Sequence, residues 1–196
     1  MNVTKDKISS VFFQYSIPAV LGMLAISSAN IVDGFFIGNY VGDFGLAAIN
    51  ISFPIFSLLF GFALMLAIGS SVVSGKLIGQ GDIKSASMIF SKTMVCITLF
   101  SFITCTVLFL NIETILHLFG ADENLTKIAI DYLSVILIFI PFLMIGVVLD
   151  YFVRVDNRPN LAFVALLSSA LINGVLDWFM IVYLQKGIFG AALATG

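Results

Sequence analysis

The chain has 196 residues, of which 60% are hydrophobic and only 10% are Asp, Glu, Lys or Arg. Ordinary soluble domains carry about 25% charged residues, so a mean hydropathy of +1.14 excludes a soluble globular protein and makes lipid the solvent for most of this chain. A net charge of −2 with no long basic run gives no footprint for nucleic acid, and none is expected as a partner.

The first apolar stretch covers residues 11–37. It follows a short charged start, as a signal peptide would, but it is too long for an h-region and has no clear A-x-A cleavage pattern. It is read as a transmembrane helix that contains Pro18. Ser27, Asn30 and Asp33 form a polar face on it, with Asn30 and Asp33 at i and i+3.

The second stretch, residues 44–74, is about 31 residues or ~46 Å long as a helix, which exceeds a bilayer core of ~30 Å. Tilt, a kink at Pro54, or projection beyond the bilayer would accommodate it. The loop that follows, from Gly75 to Ser87, places Asp82 where its carboxylate can cap the next helix. Lys76 and Lys84 in this loop are expected to be solvated.

The third and fourth stretches cover 88–111 and 128–152. Cys96 and Cys105 lie nine residues apart in the third. That spacing suits neither zinc nor a redox pair, and both read as small apolar fillers. The lone His117 near a helix end is given no role. In the fourth stretch Tyr132 is an interfacial anchor or a cavity-lining residue, and Pro141 lies inside the apolar run. Asp150 has Arg154 one turn later, an i, i+4 pair that is a sufficient structural explanation beside a path-lining role.

The fifth stretch covers 161–184, and a sixth starts at 188 and stops at Gly196. That ending predicts that the chain is a piece of something longer. Ser169, Asn173 and Asp177 recur every four residues and form one polar stripe. Ala191 and Thr195 are likewise one turn apart. If the first, fifth and sixth stretches meet, then Asp33, Asn173, Asp177, Thr195 and a carbonyl such as that of Ala191 surround one small cation. Hard cations take several oxygens, carbonyls included. Without a cation, two close aspartates cannot both stay ionised cheaply, so a proton competes for the same place. Sodium and proton are both retained as occupants.

Interhelical glue is a weak reason for such residues. A polar pair across membrane helices contributes ~0.6 kcal/mol on average. An aspartate at the bilayer centre costs ~2.5–3.5 kcal/mol on insertion scales. No catalytic cluster or nucleophile–base pairing is visible, so an enzyme is not expected. Seven of the nine Lys and Arg residues fall on one side if the N-terminus is cytoplasmic (Lys5, Lys7, Lys76, Lys84, Lys92, Arg154 and Arg158), which predicts that orientation in a cell (plasma or inner) membrane.

Several runs together resemble the multidrug and toxic compound extrusion (MATE) transporters. They are SANIVDGFFIGNYVGDFGLAA from Ser28, GSSVVSGKLIGQGD from Gly69, RVDNRP from Arg154, NGVLD from Asn173 and GAALAT from Gly190. They occur in the family's order across nearly the whole chain. The resemblance implies an all-α, polytopic transmembrane helix bundle, residues 1–196 being the first six-helix lobe of a two-lobe, twelve-helix transporter with its sixth helix truncated. It implies a C-terminal lobe as partner, and drug-like substrates that are bulky, cationic or aromatic. Export would run by alternating access, with sodium or protons as coupling ion and no other cofactor. It places coupling at Asp33, Asn173, Asp177, Ala191 and Thr195, with Asn30, Tyr132, Asp150 and Ser169 as cavity lining. Asp150 departs from the asparagine often found there. Two rivals are weighed: a flippase for lipid-linked sugars, which would need a more cationic cavity than this chain offers, and a membrane scaffold without transport.

Overall fold

The computed structural model describes residues 8–196; Lys5 and Lys7, counted in the charge asymmetry, lie outside them. The described residues form helices joined by tight turns, and contain no strand. The helices are α1 (Ile8–Tyr40), α2 (Asp43–Gly79), α3 (Ile83–Leu110), α4 (Ile112–Leu118), α5 (Glu123–Val155), α6 (Pro159–Asp177) and α7 (Gly187–Thr195). A π-helical segment, Trp178–Tyr183, continues α6. Five helical spans are long and apolar enough to cross a membrane: α1, α2, α3, α5, and α6 with its π continuation.

The helices outrun the apolar stretches because their polar flanks also favour helix. At the α2–α3 turn, Gly81 takes φ 82. There its N–H donates to the Ile78 carbonyl at 3.0 Å, while that of Asp82 donates to Leu77 at 2.9 Å. This pairing satisfies the last carbonyls of α2, and the positive φ at Gly81 favours glycine. Asp82 then starts α3, its carboxylate accepting from the Ser85 N–H at 3.0 Å. The Ser85 side chain first, and then this backbone N–H, hold the exposed Asp82 carboxyl below its usual range by hydrogen bonding to it. Its contribution to the cap is therefore full above the ordinary carboxylate value and fades as pH falls through the lowered one. Asp122 caps α5 in the same way, through Leu125 N–H at 2.8 Å.

Two departures from the sequence expectation concern boundaries, at residues 112–118 and after Asp177. Residues 112–118 form the short helix α4, too brief to register in apolar periodicity. The second stretch stays one continuous helix through Pro54, and α1 and α5 likewise run through Pro18 and Pro141. The fifth stretch is two structures, α-helix then π-helix, because six residues after Asp177 are under-wound.

α5 is the centre of the lobe, packed on α2, α3 and α7, whereas α1 pairs with α6. Lipid tails are as apolar as leucine, so close packing drives such association more than water exclusion does. α2 permits it with small residues at one-turn intervals: Ala63, Ala67 and Ser71 are all buried, as are Ala48 and Ser52. Against them α5 buries Leu133, Ile136, Ile140 and Met144. Aromatic contacts fasten α3, with Phe62 stacked on Phe100 at 3.6 Å and Phe90 edge-on to Phe152 at 4.9 Å. The remaining large apolar side chains, on α1 and the outer faces of α2, α3 and α6, are exposed and suit lipid contact.

Candidate cation site

Asp177 is the last residue of α6 and is fully buried. Neither of its carboxylate oxygens has a hydrogen-bond partner. Asp33, on α1, has one buried oxygen in the same condition. The α1–α6 pairing brings the two carboxyl groups within electrostatic range of each other. Tyr132, on α5, is in range of both and packs edge-on against Phe56 at 6.2 Å. It is buried, so the interfacial-anchor reading is corrected: α5 turns it into the lobe interior, in range of the acidic pair.

Asn173 sits one turn before Asp177, half-buried. Its side-chain N–H donates to the Ala194 carbonyl at 3.3 Å. That bond ties α6 to α7 and leaves the amide oxygen of Asn173 able to face a cation. The α7 carbonyl it engages is that of Ala194, while Ala191 is fully buried in the body of α7. Thr195, the last residue of α7, is exposed. Asn30 and Ser169 are exposed on α1 and α6, on helices that face little else in the lobe.

An ionised carboxylate with buried, unbonded oxygens is costly, since each oxygen has given up water for nothing. A positive occupant, either a proton or a small cation, would offset that cost. Among the described residues no group of three or more His, Cys, Asp and Glu side chains comes together. A cation held here would need neutral oxygens besides the two carboxylates to complete its shell.

Asp150 stands apart. It lies 18 positions after Tyr132 on α5, about 27 Å along the helix. Its carboxylate accepts from Arg154 Nε at 3.0 Å and Nη2 at 3.2 Å. Arg154 in turn lies over the Tyr151 ring at 5.9 Å. Asp150→Asn is accordingly expected to lower thermal stability only slightly, since a partly exposed i, i+4 pair is worth ~0.5 kcal/mol. The melting temperature of the variant checks this; a fall of more than a few degrees would show that the pair does more than a surface ion pair.

His117 Nδ1 lies 3.2 Å from the Ala121 carbonyl at the end of α4, a local structural contact. Two features escaped the sequence. The Ala194 carbonyl has no side-chain signature, and only the rotation of α7 selects it over its neighbours. The π-helix after Asp177 has no residue pattern of its own; π segments nevertheless recur at functional sites.

A family model described as MatE matches residues 18–179. The multidrug export protein MepA of Staphylococcus saprophyticus is 28% identical over 191 residues, covering 95% of this chain and 42% of that protein. MepA of Staphylococcus haemolyticus is 26% identical over 190 residues, again covering 42% of its length. A crystal structure of MATE in complex with MaD3S superposes with a TM-score of 0.93 at 25% identity, over 99% of this chain and 44% of that one. The outward-facing conformation of a multidrug resistance MATE family transporter of the MOP superfamily gives 0.87 at 26% identity, over 93% and 40%. The chain thus spans about 42% of the length of the curated relatives it matches.

Proposed function

The chain belongs to the MatE family, and on that premise we propose that it is the cation-binding lobe of a secondary active exporter of bulky cationic or aromatic compounds. Sodium or protons move inward through the Asp33–Asp177 site and drive export by alternating access. The observation that carries this reading is the buried, donor-free carboxylate pair on two paired spans. The description of the relatives as multidrug export proteins supports the substrate class.

Coupling requires that the ion bind one orientation of the transporter more tightly than the other; equal binding shifts nothing. The α1–α6 pair suits this role, being the part of the lobe least covered by other helices. Protonation or cation binding at Asp177 removes the charge repulsion that holds the two carboxyls apart, and the α6–α7 tie through Asn173 carries the change to α7. A second lobe, in the part of the relatives' length that this chain does not match, completes the substrate cavity. The basic residues support a cytoplasmic N-terminus: Lys76, Lys84, Lys92, Arg154 and Arg158 cluster at the α2–α3 and α5–α6 ends, against Lys127 and Lys186 at the other.

The test is export of a fluorescent aromatic cation from vesicles holding the full-length protein, with sodium and proton gradients imposed separately. One gradient is expected to accelerate export, and it names the ion. If neither gradient changes the rate, the antiport reading fails.

A further inference from the structure

The outer face of α3 carries basic groups with no acid to answer them. Lys84 and Lys92 are exposed on it, with Ser87 and Ser91 exposed between them. Lys76, in the last turn of α2, is exposed beside the same turn. The acids on this side are engaged elsewhere. Asp150 pairs with Arg154 and Asp156 with Arg158, the ion pairs found among the described residues, and Asp82 caps α3. The opposite face of α3 is the one turned to the protein, where Ala86, Thr93 and Ile97 are buried.

Depth along the helix gives this face a second property. From Thr93 to Leu110 is about 18 residues, ~27 Å, close to the ~30 Å of a hydrocarbon core. Lys92 therefore stands at the edge of the hydrocarbon and Lys84 about two turns beyond it, so the two ammonium groups bracket the layer where lipid phosphates lie. Directly below, Val95, Leu99 and Ile103 follow at one-turn intervals, 59%, 59% and 64% exposed. Basic head and apolar track run in line on one helix face.

We propose that this face of α3 is a binding site for an anionic phospholipid of the leaflet at the α2–α3 turn. Lys84 and Lys92 hold the phosphate and the Val95–Leu99–Ile103 track holds an acyl chain. The complementary charge selects acidic over zwitterionic headgroups, and the apolar track selects a lipid over a free anion. The site is independent of ion coupling and stands whether or not the acidic pair drives export.

Lipids brominated on their acyl chains test it by quenching a tryptophan placed on the track. Val95→Trp, or Leu99→Trp if the first variant does not fold, is made in the full-length protein. Quenching is read as the excess over the parent protein, so that Trp178 and any other native tryptophan are subtracted. At equal mole fraction, brominated phosphatidylglycerol is expected to bind more tightly than brominated phosphatidylcholine, by about fivefold for each lysine engaged. Adding Lys84→Gln and Lys92→Gln should erase the preference. Equal quenching by both lipids would overturn the proposal, as would a preference that survives loss of both lysines. A preference abolished by inorganic phosphate would also overturn it, leaving a phosphate site without a lipid.

Discussion

In the full-length protein, Asp177→Asn is expected to abolish gradient-driven export while the protein still inserts and folds. The side chain is fully buried and neither oxygen has a donor. Asparagine nearly conserves its shape and removes its charge. Insertion should not become harder, because an amide replaces a carboxylate, a group that costs up to ~2.5–3.5 kcal/mol within a bilayer. A cation in the site would keep Asp33 but lose one full charge. Two unit charges ~4 Å apart at an effective dielectric constant of ~20 attract by about 4 kcal/mol, roughly a thousandfold in cation affinity. A proton site would lose its exchangeable group altogether. Asp33→Asn should follow the same course less completely, since only one of its oxygens is buried without a partner. Accumulation of a fluorescent cation in cells, measured beside membrane expression, distinguishes failed coupling from failed folding. Unchanged export by Asp177→Asn would remove the carboxylate pair from the mechanism.

Gly190→Ala is expected to damage both stability and coupling, although alanine is ordinarily the better helix former. A Cβ at Gly190 would lie 3.1 Å from the Met180 carbonyl oxygen and 3.2 Å from its carbon, both backbone atoms of the π segment. It would also meet the Lys186 Cβ at 2.9 Å. Backbone cannot rotate aside as a side-chain end does, so α7 must move. Overpacking of this kind costs ~1–3 kcal/mol. The helix-propensity gain is at most ~1 kcal/mol, and less in a first turn. Displacement of α7 would also carry the Ala194 carbonyl away from Asn173. A lowered melting temperature together with weaker ion-dependent export is the predicted outcome; a melting temperature at or above the parent's would show that the π segment yields instead.

Much of the fold was legible because a bilayer enforces it. Backbone groups in lipid must be satisfied within the segment, so long apolar stretches have one outcome, helix. The apolar lengths, the capping Asp82 and the turn glycine at Gly81 then place the spans to within a few residues. The acidic pair was legible for a related reason. Asp33 and Asp177 are expensive where they stand, and the polar spacing of Asn173 before Asp177 marks one helix face.

The chain by itself determined that it spans a membrane, where its helices lie, and which carboxylates fall within apolar spans, because transfer into lipid penalises each residue by its own chemistry. Tertiary structure decided what those residues meet. It paired α1 with α6, committed Asp150 to Arg154, drew Tyr132 inside, joined Asn173 to Ala194 and under-wound the chain after Asp177. Those outcomes depend on helix rotation and on contact between distant segments. Many helix rotations give the same apolar sequence pattern, and only close packing of complementary shapes selects one of them.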